Sequence, residues 1–304
     1  MFYFIVGILF SVGIFIAFKA FAVLKIDTFQ AIVTNYFFCI LTGLLFIGDF
    51  TPLTTISWQA PWVYTGLFLG VLFIGTFYLM AITAQRVSVA AASMATKISL
   101  IIPVTISLWW LQGNADRTFD GWNYLGLSLV FVAIVFASFR PSDTTTTKKL
   151  VGWQAIVLPF IVFAASGTID TLLNVVNVAL GQYAESTTLQ AFFPILIFSV
   201  AFIIGVLILL IRRPAIQRKS IVGGALLGIC NYFSVYYVLK ALDVFENNGA
   251  FVYPNFNIGI IVLSALAAKF IFQEKLLAIN RWGIALSVVA IFLLSYRAIF
   301  AYFQ

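Results

Sequence analysis

The chain has 304 residues, 63% of them hydrophobic and only 9% charged. A water-soluble domain carries roughly 25% charged residues, so this composition excludes a single water-facing globule and makes lipid the solvent. The net charge of +7, with no histidine, does not point to nucleic acid, because the basic residues fall mainly in short connections between apolar runs.

A hydrocarbon core about 30 Å thick is crossed by roughly 20 apolar residues at about 1.5 Å rise each. Runs of that kind predict spans over 2–22, 29–47, 62–83, 88–111 and 121–139, then over 153–178, 189–211, 221–242, 249–272 and 279–300. The first run has no basic residue ahead of it and no small-residue cleavage site, so it reads as a span and not as a cleaved leader. Between the fifth and sixth runs a polar stretch contains four successive threonines, Thr144 to Thr147, and reads as solvated linker. The expected fold is all-α and integral to the membrane: a first five-helix repeat over 1–140, a polar linker over 141–152 and a second five-helix repeat over 153–304. Cys39 and Cys230 lie inside apolar runs without metal-ligand spacing and read as packing residues.

The connections after the odd-numbered spans carry Lys25, Arg86, Arg140, Lys148, Lys149, Arg212, Arg213, Arg218, Lys219, Lys275 and Arg281. The opposite side carries only Arg117 and Arg297. Cytoplasmic loops are enriched in lysine and arginine. The basic side is therefore expected in the cytoplasm, across a bacterial-type inner membrane, with both termini outside.

The two halves share spaced signals. Thr28-Phe29-Gln30-Ala31 opens the second run and Thr188-Leu189-Gln190-Ala191 the seventh, an offset of 160. Gly66 and Gly70 match Gly224 and Gly228 at an offset of 158, and Gly126 matches Gly283 at 157. The fifth and tenth runs end on Ser138-Phe139-Arg140 and Ser295-Tyr296-Arg297. Such closely similar offsets predict a duplication. With five spans per half, the second half enters the membrane upside down, and inverted repeats place a solute site near the midplane between halves that rock around it.

Five-plus-five spans, Tyr78-Leu79-Met80-Ala81-Ile82-Thr83 and Val238-Leu239-Lys240-Ala241-Leu242 leading into spans four and nine, and Phe272-Gln273-Glu274-Lys275-Leu276 resemble the drug/metabolite transporter superfamily, its EamA-type members in particular. The resemblance covers the whole chain and implies a transporter. The chain departs from the pattern where the first half should carry a match for Glu274, reading Leu111-Gln112-Gly113-Asn114 instead.

Ionisable groups inside a span cost several kcal/mol unless they face the bundle interior, water or a partner. Lys97 falls near the middle of span four, with Ser93 one turn away on the same face. At an offset of 160 its counterpart is Asn257, and that of Ser93 is Tyr253. A lysine among uncharged donors and acceptors suits a carboxylate; the alternatives are a structural ion pair or a snorkelling side chain. Asp170 is the acidic residue well inside a span, near Ser166, Thr168, Thr171, Asn174 and Asn177. It is either a proton-coupling group or a helix cap. Lys19 is a second coupling candidate, or an interfacial anchor, and its counterpart falls near Asn174. Asn35 and Tyr36, with Asn231 and Tyr232, are candidates to line a cavity. Pro254, with Asn255 and Asn257 just after it, frees a backbone carbonyl inside its span, and Pro103 and Pro194 either do likewise or only bend their helices. Lys240, Lys269 and Glu274 read as helix-end residues, Glu274 facing water. The solute-binding set is thus Lys97, Asn257, Tyr253, Ser93, Asn231 and Asn35, with Asp170 and Lys19 for coupling.

The expected function is secondary active transport of a small organic metabolite, an amino acid or carboxylate-type solute, by alternating access. The chain carries no Gly-x-x-x-x-Gly-Lys-Ser/Thr loop for nucleotide, so a gradient, protons first among the candidates, would supply the energy. No cofactor, metal or nucleic acid is expected; the partners are the solute and the bilayer. An integral-membrane enzyme of lipid or prenyl metabolism would need clustered carboxylates or a histidine base. A channel would need charge rings or a filter repeat. A non-transporting membrane scaffold is the remaining alternative.

Overall fold

The computed structural model describes residues 2–47, 59–102, 120–138, 152–180, 186–244, 249–274 and 276–303. The linker over 141–151, Pro103, the stretch Leu111–Asn114, Arg117, Arg140, Lys148, Lys149 and Lys275 lie outside those residues, and so do the side chains of Asn174 and Asn177. The chain forms α1 (Phe2–Val23), α2 (Thr28–Ile47), α3 (Pro61–Arg86), α4 (Val89–Ile98), α5 (Gly121–Ser138), α6 (Gly152–Leu180), α7 (Ser186–Arg212), α8 (Arg218–Val244), α9 (Gly249–Phe270) and α10 (Ala278–Phe303). There is no strand among the described residues.

Seven of these helices hold a stretch long and apolar enough to cross a membrane; α4, α5 and α10 carry shorter apolar stretches. The chain is an all-helical, multi-pass membrane protein. Leu45, Ile211, Val222 and Leu226 point outward from the bundle, a face suited to acyl chains rather than water. Helix bounds follow the expected spans closely, except in α4. There the regular helix stops at Ile98 and a turn occupies Ser99 and Leu100. The Ser99 hydroxyl lies on the Thr96 carbonyl, and the Ile102 N–H donates to the Ser99 carbonyl at 2.9 Å, so a tighter turn replaces the α-helical ladder.

In lipid, helices gain nothing hydrophobic by associating, so close approach and interhelical hydrogen bonds must hold them together. Helix α2 packs on α8, and α7 on α3. A Cβ on Gly224 would lie 2.5 Å from the Ala31 carbonyl, and one on Gly228 2.7 Å from that of Asn35. In the other seam a Cβ on Gly70 would meet the Ile197 carbonyl at 2.9 Å, and one on Gly66 the Leu196 side chain at 2.8 Å. The residues met on α2 (Ala31, Thr34, Asn35, Phe38) and on α7 (Phe193, Leu196, Ile197, Val200) differ by a constant 162.

Helices α5 and α10 pack along one another. At the start of α5 the Asp120 N–H donates to Asn123 Oδ1 at 3.1 Å, and Asn123 Nδ2 donates to the Leu293 carbonyl at 3.0 Å. At the start of α10 the Leu277 N–H donates to Asn280 Oδ1 at 3.0 Å, and Asn280 Nδ2 donates to the Phe136 carbonyl at 2.9 Å. One offset of 157 relates the two sets, taking Asp120 to Leu277, Asn123 to Asn280 and Phe136 to Leu293. Asp120 also pairs with Arg297 (2.8 Å) and accepts from the Tyr296 hydroxyl. The Tyr296 hydroxyl above all, then the Asn123 amide and Arg297, hold its carboxyl below the usual range.

These seams predict how the bundle answers added volume. Gly224→Val and Gly70→Val should each destabilise it by about 1–3 kcal/mol, read as a lower melting temperature in detergent. Gly75→Ala, where an added Cβ meets nothing within 4 Å, should leave it unchanged.

Candidate functional site

Helix α4 sits inside the bundle, packed against α1, α3, α5, α6, α9 and α10. Ser88 caps it, its Oγ accepting from the Ala91 N–H at 2.9 Å. The run Val89-Ala90-Ala91-Ala92 then presents small side chains that let neighbouring backbones close in. All residues of α4 are buried except Lys97, which is half-buried. Accessible surface inside this helix therefore coincides with its one charge.

Three helices converge there. From α9, Asn257 Nδ2 donates to the Lys97 carbonyl at 3.1 Å. One turn before Asn257 stands Tyr253, half-buried, and two turns after it Ser264, whose hydroxyl donates to Ser93 Oγ on α4 at 2.6 Å. From α6 comes Asp170, also half-buried. The Ser99 hydroxyl lies 3.2 Å from Asp170 Oδ2. The Asp170 carboxylate is within electrostatic reach of both the Lys97 ammonium and the Tyr253 phenol, without a direct ion pair among the described residues. Gly167, where an added Cβ would meet the Ile102 side chain at 2.8 Å or less, brings α6 against α4. On the turn before Asp170, the Ser166 hydroxyl is buried with no hydrogen-bond partner among the described residues. Thr168 and Thr171 instead return their hydroxyls to their own helix, at Ala164 (3.0 Å) and Gly167 (2.7 Å).

The structure thus brings together Lys97, Ser93, Asn257, Tyr253 and Asp170 of the residues expected from sequence. It does not bring Asn35 and Asn231 to them. Asn231 Nδ2 donates to Asn35 Oδ1 at 3.3 Å in the seam between α8 and α2, both side chains buried. Cys39 Sγ donates to the Gly228 carbonyl at 3.3 Å beside them. Tyr36 and Tyr232 are buried too, Tyr36 stacked on Phe198 with ring centroids 5.9 Å apart. These residues form a helix seam between α2 and α8, apart from the Lys97 cluster.

Lys19 is placed elsewhere again, with its Nζ 2.7 Å from Glu274 Oε1. The expectation that Glu274 faces water is overturned: its side chain is 13% exposed and turned in towards α1. The cause is the backbone, since Gln273 adopts a positive φ of 50° and folds the chain back under α9. Lys269, by contrast, lies over the exposed Phe270 ring at the helix end, as an interfacial lysine does. Sequence reasoning missed Ser99 and Ser264. Helical spacing offered a signal for Ser264, seven residues beyond Asn257 on one face of α9.

No family model matches the chain. A curated relative in Haemophilus influenzae (strain ATCC 51907 / DSM 11121 / KW20 / Rd), an uncharacterized protein, is 25% identical over 295 residues, covering 96% of this chain and 97% of the relative. A solved crystal structure matches 96% of this chain and 98% of its own, with a TM-score of 0.52 at 15% identity. At that identity the likeness concerns the fold alone.

Lys97 and Asp170, within electrostatic reach of each other, should be energetically coupled. Lys97→Met and Asp170→Asn each leave one charge uncompensated, and combining them should recover about 0.5–3 kcal/mol relative to the sum of the single changes. Melting temperatures of the four proteins in detergent measure this.

Proposed function

We propose that the chain is a secondary active transporter that moves a small organic metabolite bearing a carboxylate across a bacterial-type inner membrane by alternating access. The observation that carries this reading is the Lys97 cluster: one charged side chain, partly accessible inside an otherwise buried helix and within electrostatic reach of a carboxylate on a neighbouring helix. Charges at such depth are retained for ligands, ions or proton transfer. Lys97 supplies the contact for a carboxylate, with Tyr253 and Asn257 as neighbouring polar groups. Asp170 either takes a solute ammonium, which favours an amino acid over a simple acid, or carries the coupling proton.

The packing supports a ten-span, inverted five-plus-five arrangement. Exchanging each helix with the one five places on turns the α2–α8 seam into α7–α3 and the α1–α8 contact into α6–α3. It likewise turns α1–α9 into α6–α4, and all of these contacts occur. The α2–α7, α4–α9 and α5–α10 pairs map onto themselves, as helices on a two-fold axis would. Lys97 and Asn257, 160 residues apart, meet on that axis. The constant offsets of 157 and 162 in the seams point the same way. The resemblance to EamA-type members of the drug/metabolite transporter superfamily agrees with this arrangement. The basic odd-numbered connections favour termini on the outside.

A thermal-shift screen of the purified protein against a metabolite library, followed by flux into proteoliposomes, tests the reading. Carboxylate-bearing solutes should raise the melting point, since a ligand at about 100 times its Kd adds about 2.7 kcal/mol. Lys97→Ala should abolish both that shift and the flux while leaving a folded protein. Unchanged flux would remove Lys97 from the site, and flux that ignores a collapsed proton gradient would leave Asp170 as a solute ligand only.

A further inference from the structure

The Lys19–Glu274 ion pair takes no part in the Lys97 cluster, yet its construction is specific. Helix α9 ends at Phe270, and the left-handed turn at Gln273 costs a non-glycine residue about 1–2 kcal/mol. The Glu274 N–H then donates back to the Ala268 carbonyl at 3.0 Å, which delivers the carboxylate to α1. Lys19 Nζ lies 2.7 Å from Oε1, with the two side chains only 19% and 13% exposed. Among the described residues the Lys19 ammonium is the polar partner of the Glu274 carboxylate. A pair drawn this far from water recovers little of its desolvation cost, and a well-packed apolar pair would stabilise the bundle as well or better. A contact of this kind is suited to being made and broken.

We infer that Lys19 and Glu274 form the latch that closes the bundle between the Lys97 cluster and the face carrying the first and ninth connections; this rests on the transporter reading above. Depth supports it. Lys19 stands four residues before the end of α1, about 6 Å from that face, whereas Lys97 stands eight residues into α4, about 12 Å from it. Helix α1 packs against both α4 and α9, so the pair lies nearer the face than the cluster does. Other elements converge on the same turn of α1. Gln85 Nε2, at the end of α3, donates to the Phe18 carbonyl at 3.1 Å and to Thr28 Oγ1 at 2.8 Å. The Phe18 and Phe21 rings are buried there. In the opening step, water replaces the carboxylate at Lys19 and the ammonium at Glu274, and the α9–α10 connection moves off α1.

The test uses Tyr253→Cys as a reporter, labelled by a membrane-impermeant maleimide in vesicles of each orientation. The unsubstituted chain supplies the background from Cys39 and Cys230. Adding Glu274→Gln or Lys19→Met should raise the labelling rate from the latch face by about tenfold, a shift of closed towards open that needs about 1.4 kcal/mol. The rate from the opposite face should not rise. The charge-reversed pair, Lys19→Glu with Glu274→Lys, should restore slow labelling. Unchanged rates in both single variants overturn the latch, as does acceleration that the reversed pair leaves in place. Equal acceleration from both faces overturns it too, since that marks general loosening. Labelling needs no transported solute, so a protein that moves nothing yet shows the one-sided change keeps the latch and sinks the transport reading.

Discussion

Hydrocarbon offers no hydrogen-bond partner, and the interior of this bundle is organised around that fact. A polar side chain within a span must be answered by its own helix, by another helix or by enclosed water. Asn123 and Asn280 spend their amides on carbonyls across the α5–α10 seam. Asn35 and Asn231 answer each other between α2 and α8, and Ser93 and Ser264 between α4 and α9. Once these are accounted for, Lys97 and Asp170 stand out. They keep partly accessible surface and lie within electrostatic reach of each other, without a direct pair among the described residues. A structural ion pair would have closed that gap, because distance only weakens the return on desolvation.

The same constraint makes the glycines consequential. Interhelical hydrogen bonds and dispersion contacts require backbones close together, and Gly224, Gly228 and Gly70 sit where a Cβ would meet a carbonyl oxygen of the facing helix. Because the α2–α8 and α7–α3 seams use residues at one constant offset, the packing that holds the first half to the second also holds the second to the first. Under the proposed inverted repeat, the α4–α9 crossing lies on the axis. A residue there meets its own counterpart, which is why Asn257 reaches Lys97.

Much of the scaffold was legible in the sequence because the bilayer imposes it: spans of fixed length, and glycines at repeated spacing. Lys97, Ser93, Tyr253, Asn257 and Asp170 were legible as a group because charge in a span is conspicuous and the offset ties two of the helices together. What a polar residue is bonded to was not legible. Asn35 and Asn231 look like cavity residues in a sequence, since nothing local shows that each is the other's partner. Glu274 looked water-facing because the turn that buries it is made at Gln273, without the glycine that usually announces a left-handed residue. The interruption of α4 at Ser99 did have a signal in the sequence, since Pro103, four residues on, has no N–H to give the Ser99 carbonyl; the Ser99 hydroxyl near Thr96 and Asp170 was not legible.

Symmetry and charge divide the work between them. The neutral contacts recur: asparagine to carbonyl at both ends of the α5–α10 pair, glycine against carbonyl in both seams. The ionic ones do not. Lys97 faces a neutral Asn257 at the equivalent position, and Asp120, which pairs with Arg297, has Leu277 as its equivalent. A perfectly two-fold bundle would close at either end with equal ease and would offer a solute no preferred polarity. With the frame repeated and the charges not, the frame can persist in both outward- and inward-facing states of the proposed cycle. The unmatched charges are then left to set which state lies lower. A solute carboxylate at Lys97 would bias that balance only through differential contact in the two states, and Asp170, on a helix that packs against α3 and α4 together, is placed to make the contact differential.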